Sequence, residues 1–266
     1  MNNFEKRWKD KNDHNNRGLL LDPIVEGKDG VFGGSVSFAG KTVVRPDGQW
    51  EPVEFERQFR DSFDSYSCVS FGRNNQEEVY LKNRYGLDRN FSDRAMAKMS
   101  DTQPNGNTPQ KVYEARRKQG YLYENEWPWP DTVVTWAEYM KEIPSNLMNL
   151  AKGYSYEWRF WHDYVPTNPA SMKEALKYSP IGVSNNLWQK EDGTYYKPDG
   201  LQDSHWALVI GYDSDTWKLL DTYPPFIKRV KMSTVFQQAK IIEIDRQVVN
   251  YSAWDKFVAF LRKIWS

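Results

Sequence analysis

One cysteine in 266 residues excludes an internal disulfide framework and any zinc site built from several thiolates. Three histidines, His14, His162 and His205, lie far apart with no His-x-x-x-His pair, so neither a histidine metal centre nor any other cofactor is expected. No apolar run approaches the ~18 residues that a membrane-crossing helix needs. Neither sign of charge is in excess: 36 basic residues balance 36 acidic ones, which removes the electrostatic case for nucleic acid or an anionic membrane as main partner. The first 17 residues are polar and lack an apolar segment, so they do not read as a signal peptide, and synthesis in a cytoplasm is expected. No internal repeat is visible.

What the chain has in quantity is aromatic rings: 12 Trp, 16 Tyr and 13 Phe, enough to build a sizeable core. Residues 1–57 read as an N-terminal arm followed by extended chain wrapping the surface, with a turn at Pro46-Asp47-Gly48. Residues 58–152 are mainly helical. After the turn-rich run Asp61 to Tyr66 and Cys68 comes Arg73 to Lys82, which contains no Pro or Gly and reads as helix up to Gly86. Ser92 caps a second helix. Thr108 with Pro109 opens a third, which Gly120 closes. Thr135 opens another, and one more spans Ser145 to Lys152. Residues 153–249 change character: Tyr154 to Tyr164 reads as extended, Ser171 caps a short helix, and strands fall at Ile181–Ser184, Trp206–Tyr212, Trp217–Leu220, near Val230 and at Ile241–Ile244. Helices first and strands later make an α+β chain of two lobes. In the last segment, 250–266, Ser252 precedes an apolar stripe of Trp254, Phe257, Val258, Leu261, Ile264 and Trp265, an amphipathic helix that docks on its own domain, on a second copy or on another protein.

Cys68 is the residue with chemistry to offer. A thiol at a helix N-terminus feels the positive end of the helix dipole, which favours the thiolate. The alternative is a small buried core residue. A thiol nucleophile needs a base, and the base needs an orienting group. His205 opens one strand and Asp221 closes the next. A hairpin centred on Asp213 places them directly across the ladder, Cβ atoms ~5 Å apart, and a one-residue slip would separate them onto opposite faces. His162, in an aromatic run, is the rival base, and a satisfied histidine near the core is its plainer reading.

At these residues the chain resembles the papain-like cysteine peptidases. The family's Ser-Cys-x-x-Phe at the start of a buried helix matches Ser67-Cys68-Val69-Ser70-Phe71, and its His before an apolar strand ending in Gly-Tyr matches His205 to Tyr212. The spacing of Cys68 and His205 falls within the family's roughly 130–150 residues. Asn105-Gly106 and the segment Glu124 to Pro128 fit the helical lobe. The likeness covers residues 55–245 and is nearest to a divergent, disulfide-free branch of bacterial and bacteriophage type.

The resemblance implies a two-lobed fold, with a helical lobe, an antiparallel β lobe and the cleft between them. It implies peptide-bond hydrolysis of a peptide or protein substrate through a thioester, with Cys68 as nucleophile, His205 as base and acid, and Asp221, where the family usually has Asn, as the orienting group. The oxyanion donors would be the Cys68 backbone N–H and a glutamine. The family's glutamine stands six residues before the cysteine, where this chain has Ser62; Gln58, ten before, reaches the cleft if the intervening loop bulges. Tyr66, at a place usually small, narrows the cleft, and Trp206 and Tyr223 are expected to line it with Tyr66. Two rival readings stand beside this one: a papain-fold structural or assembly protein, such as a phage virion or tail component, and an amidase acting on cell-wall peptides.

Overall fold

In the computed structural model, the described residues are 18–23, 30–32, 42–60 and 63–247. The N-terminal arm over 1–17 and the amphipathic segment Ser252–Trp265 lie outside them.

The chain enters the helical lobe through a two-stranded hairpin, β1 (Phe59–Arg60) and β2 (Phe63–Asp64). Helix α1 follows over Cys68–Tyr85 and ends at Gly86 with φ 67°. Ser67 stands at its N-cap without capping it: the hydroxyl donates to Ser65 O at 3.1 Å and pairs with the Tyr139 hydroxyl at 2.8 Å. Helices α2 (Asp93–Met99) and α3 (Pro109–Gln119) carry the expected caps, Ser92 accepting from Ala95 N and Thr108 from Lys111 N. Thr135 opens a single turn, α4 (Trp136–Tyr139), and α5 spans Ser145–Tyr154. The extended run therefore starts later than the aromatic pattern predicts, at β3 (Trp158–Tyr164). Helix α6 (Pro169–Ala175) is capped by Asn168 rather than Ser171, because Pro169 suits the first helical position and the Asn168 side chain accepts from Ser171 N.

The β lobe is an eight-stranded sheet among the described residues. Its other strands are β4 (Ile181–Asn185), β5 (Trp188–Gln189), β6 (Tyr195–Tyr196), β7 (His205–Tyr212), β8 (Thr216–Leu220), β9 (Ile227–Lys231) and β10 (Ala239–Arg246). The order is β3-β10-β4-β7-β8-β9-β6-β5, antiparallel except for β6 against β9.

Helix α1 is buried over its first fourteen residues, although six in succession, Arg73 to Glu78, are polar or charged. Burial of this kind is tolerated only when partners are supplied. Glu77 holds Arg73 and, at 2.6 and 2.9 Å, Arg116. The Gln76 amide donates to Pro180 O at 2.7 Å and Lys240 O at 2.9 Å, so this helix is bonded directly to the β lobe. Gly72 lets the two lobes approach: a Cβ there would lie 2.7 Å from Trp206 Cδ1 on β7.

The segment before β1 is less superficial than its composition suggests. Leu19, Asp22 and Trp50 are buried, and Trp50 stacks on Tyr80 of α1 with ring centroids 5.9 Å apart. Large apolar rings in an otherwise polar stretch are drawn into the core that α1 and the sheet form.

Candidate active site

Cys68 is the first residue of α1, and its thiol lies beside the main chain of Trp206, the second residue of β7. His205 starts β7, and its Nε2 is 2.8 Å from Asp221 Oδ1. Asp221 follows β8, and its other oxygen accepts from Lys228 Nζ at 2.7 Å. Lys228 also donates to Tyr223 O at 2.8 Å, and Tyr223 N donates to Asp221 Oδ1 at 3.1 Å. Burial alone would raise the Asp221 carboxyl, but the Lys228 ammonium and His205 hold it well below the usual carboxylate range.

The β7–β8 hairpin reaches this arrangement by a different register from the symmetric one. Its turn runs from Asp213 to Thr216, closed by Asp213 N to Thr216 O at 2.9 Å, and the ladder shifts between Val209 and Gly211. Leu208 then pairs with Leu220, two positions away from the partner that a turn centred on Asp213 predicts. An offset of two keeps His205 and Asp221 on one face, diagonal to each other rather than directly opposite.

Gln58 is also there. The residues between it and Cys68 do bulge: β1 and β2 fold out as a hairpin, and Ser65 N and Oγ return to Gln58 O at 3.0 and 2.9 Å. Its amide nitrogen donates to Tyr223 Oη at 2.6 Å and to Asp64 Oδ1 at 3.1 Å, and its oxygen accepts from Thr222 Oγ1 at 2.8 Å. Both amide hydrogens are therefore engaged, and neither faces open space where an oxyanion could accept it. Ser62 lies outside the described residues.

Tyr223 stacks on Phe59 at 5.7 Å, lies 5.2 Å from the His205 ring and donates to Asp64. Tyr66, with φ 48°, takes its turn because its N–H donates to Asp64 Oδ1 at 2.8 Å. Trp206 does not line a cleft. Its ring points the other way, onto Gly72, Gly182 and Tyr113, since neighbours along a strand alternate faces and His205 takes the opposite one. His162 is remote from this cluster: Nε2 is 3.1 Å from Glu114 and Nδ1 3.2 Å from Lys240 Nζ, and burial pushes its imidazole down to about 4.

Asp64 and Lys228 complete the cluster, and the sequence reading missed both. Asp64 is one acid in a run that reads as turn, and nothing in its spacing marks it. Lys228 had a signal, since it shares the strand phase of Val230 and so points inward. Burial raises the Asp64 carboxyl against the pull of Tyr223, Tyr66 and Gln58.

The cluster is closed to solvent. Cys68, His205 and Gln58 are 0% exposed and Asp221 3%. Burial pushes the Cys68 thiol far up, with the Asp64 and Asp221 charges adding to it and the Trp206 and Val69 main chain opposing it. A short N-terminal segment lies next to these elements. Leu19 N donates to Ser204 O at 3.2 Å, Leu20 N to Asn107 O at 2.9 Å, and Asn107 N to Gly18 O at 2.9 Å. This short strand runs between the residue before His205 and the helical lobe, with Gly18 against the Tyr66 main chain.

The arrangement of helices and sheet that carries these residues is shared with known structures. Xylellain, a cysteine protease from Xylella fastidiosa, superposes with TM-score 0.63 at 14% identity, over 85% of this chain and 95% of its own. The chain has the papain-like fold. The cysteine protease and lectin-like domains of a surface layer associated protein of Clostridium difficile match at 0.60 and 12% identity, over 74% of this chain and 50% of that one. The proform of a ragweed pollen cysteine protease matches at 0.55 and 14%, over 83% and 73%. No protein-family model and no curated protein sequence matches the chain. With one cysteine, this papain-like chain forms no internal disulfide.

Proposed function

We propose that this chain is a papain-like thiol hydrolase that cleaves peptide bonds, with Cys68 as nucleophile, His205 as base and acid, and Asp221 as the group that orients His205. The observation that carries the reading is the His205–Asp221 contact at 2.8 Å, on the strand whose second residue touches the Cys68 thiol. A carboxylate on Nε2 fixes the ring and leaves Nδ1 for the thiol proton. The thiol gives its proton to the imidazole while sulfur bonds to the scissile carbonyl carbon. The imidazolium then protonates the leaving amine as the C–N bond breaks, giving a thioester. Water attacks that thioester, its proton passes to His205, and the acid and the thiol are released. Lys228 keeps Asp221 ionised through this cycle.

The test is acyl transfer from an activated peptide ester, with the adduct located by mass spectrometry. Expected is a thioester on Cys68, absent in Cys68→Ala and formed at least 10³-fold more slowly in His205→Ala, on the order of the loss when one member of such a triad is removed. Hydrolysis that survives Cys68→Ala would sink the reading.

The closed site and the engaged amide of Gln58 favour a second reading, a papain-fold structural or assembly protein without turnover. Absence of any acyl adduct, also after the cleft has been opened by substitution, would select it.

A further inference from the structure

We propose that the Asn185 side chain is a substrate-binding group of this site, its amide pairing with the main-chain N–H and C=O of one substrate residue beside the bond that is cut. The inference rests on the thiol-hydrolase reading and names a residue to which that reading gives no part.

Strand β7 runs between β4 and β8, so His205 has a neighbour on each side. On the β8 side Asp221 bonds to its Nε2 at 2.8 Å. On the β4 side the residue directly opposite is Asn185, the last of its strand. Directly opposed residues of an antiparallel pair share a sheet face, with Cβ atoms ~5 Å apart. Asn185 therefore stands on the face that His205 takes.

The Asn185 side chain is buried, at 1% exposure, yet neither its Nδ2 nor its Oδ1 has a hydrogen-bond partner among the described residues. The residues on either side of it are supplied. Ser184 Oγ donates to Asp203 Oδ2 at 2.6 Å and accepts from Gln238 N at 2.7 Å, and Asn186 Nδ2 donates to Gln202 O at 3.0 Å. The main chain of Asn185 is used too, its O accepting from Ser204 N at 3.1 Å. A buried donor and a buried acceptor left unmet together cost stability, and an apolar side chain of similar shape would avoid that cost.

The amide also states what would meet it. Nδ2 needs an acceptor, Oδ1 needs a donor, and neither calls for a net charge. One residue of an extended peptide brings both, because its N–H and C=O point to the same side, as in an antiparallel ladder. Asn185 is covered together with Cys68 and His205, both 0% exposed, so the opening that a substrate of the thiol requires serves the amide as well.

The experiment compares Asn185→Leu and Asn185→Ala with the wild-type chain on two probes. One is a tetra-alanine depsipeptide with an ester at its central bond, which has a peptide group on each side of that bond. The other is p-nitrophenyl acetate, which has none. Acylation of Cys68 is followed by mass spectrometry and folding by urea melts. Expected is acylation by the depsipeptide slower by about ten-fold or more in both variants, the loss of two neutral hydrogen bonds. Acylation by p-nitrophenyl acetate should be unchanged, and at least one variant should be as stable as the wild type. An equal loss with both probes, or no loss with either, overturns the proposal. Lower stability in both variants also overturns it, since the amide would then serve the fold, through a buried water or another structural partner. If neither probe acylates the wild-type chain, the thiol-hydrolase reading falls. A rise in melting temperature with the depsipeptide that both variants lose would then leave peptide binding at Asn185 standing, and an equal rise, or none, would overturn that as well.

Discussion

Asp221 meets His205 on one sheet face because Ile210 is bulged out of β7. At the hairpin tip Tyr212 pairs with Trp217, and beyond the bulge Val209 pairs with Leu219. Carrying the tip register on without the bulge would place Asp221 opposite Leu208, on the face away from His205. The carbonyl of the bulged residue is used elsewhere: Trp50 N donates to Ile210 O at 2.8 Å, so the segment before β1 holds the irregularity in place.

The buried pair of Asp221 with Lys228 sets the first prediction. Asp221→Asn leaves the Lys228 ammonium buried without its carboxylate and is expected to cost about 3–5 kcal/mol in urea melts. Lys228→Met in the Asp221→Asn background removes the stranded charge and is expected to recover most of that loss. If the double variant is as unstable as the single one, the ion pair is not what holds β8 to β9 at this point.

Gln58 separates scaffold from chemistry. Gln58→Ala leaves Asp64 and Thr222 short of partners and should cost about 1–3 kcal/mol in a denaturant melt. If the amide also turns toward a developing oxyanion, single-turnover acylation should fall by about 10²–10³ as well. Loss of stability with acylation unchanged would assign Gln58 to the scaffold alone.

Stability should decline as pH rises through the mildly acid range. Burial, with the Glu124 and Glu54 charges adding and Asp93 and Arg60 opposing, raises the Glu56 carboxyl from 4.5 to about 7. Burial and neighbouring carboxylates also raise Glu78 and Asp93. The folded state then binds more protons than the unfolded one between pH of about 4.5 and 7, so stability is lost across that window. Asp221 acts oppositely: its depressed carboxyl contributes stability above the ordinary carboxylate range, lost as pH falls below it. The melting temperature should therefore peak near pH ~4–5. Glu56→Gln should flatten the decline above the peak; an unchanged slope would remove Glu56 as its source.

His162 should be silent. Its imidazole is pushed down to about 4 by burial and held between Glu114 and Lys240. Its NMR ring signals should not titrate between pH ~5 and 8, and His162→Gln should leave acylation of Cys68 unchanged. A rate loss without a loss of folding would return it to the list of bases.

Much of the fold was legible because local chemistry declares it. Ser92, Thr108 with Pro109, and the glycines at 86 and 120 mark helix ends through hydrogen bonds that each segment makes with itself. Strand β7 shows as an apolar run because it is buried on both faces. The polar half of α1 was not readable as buried, since its partners Arg116, Pro180 and Lys240 come from distant segments. Asp64 escaped for the same reason: its partner Tyr223 is 159 positions away.

By itself the sequence determined that Cys68 heads a helix, that His205 and Asp221 end neighbouring strands, and that no second cysteine or histidine cluster offers other chemistry. Those facts depend on residue type and short-range spacing. Only the tertiary structure decided whether the ends meet. The bulge at Ile210 restored the face that His205 and Asp221 share, the β1–β2 hairpin carried Gln58 back beside Ser65, and the strand at Gly18–Leu20 lay down between Ser204 and Asn107. Each of these is fixed by contacts between segments far apart in the chain, and a shift of one residue in any of them would leave the sequence signals intact while dispersing the site.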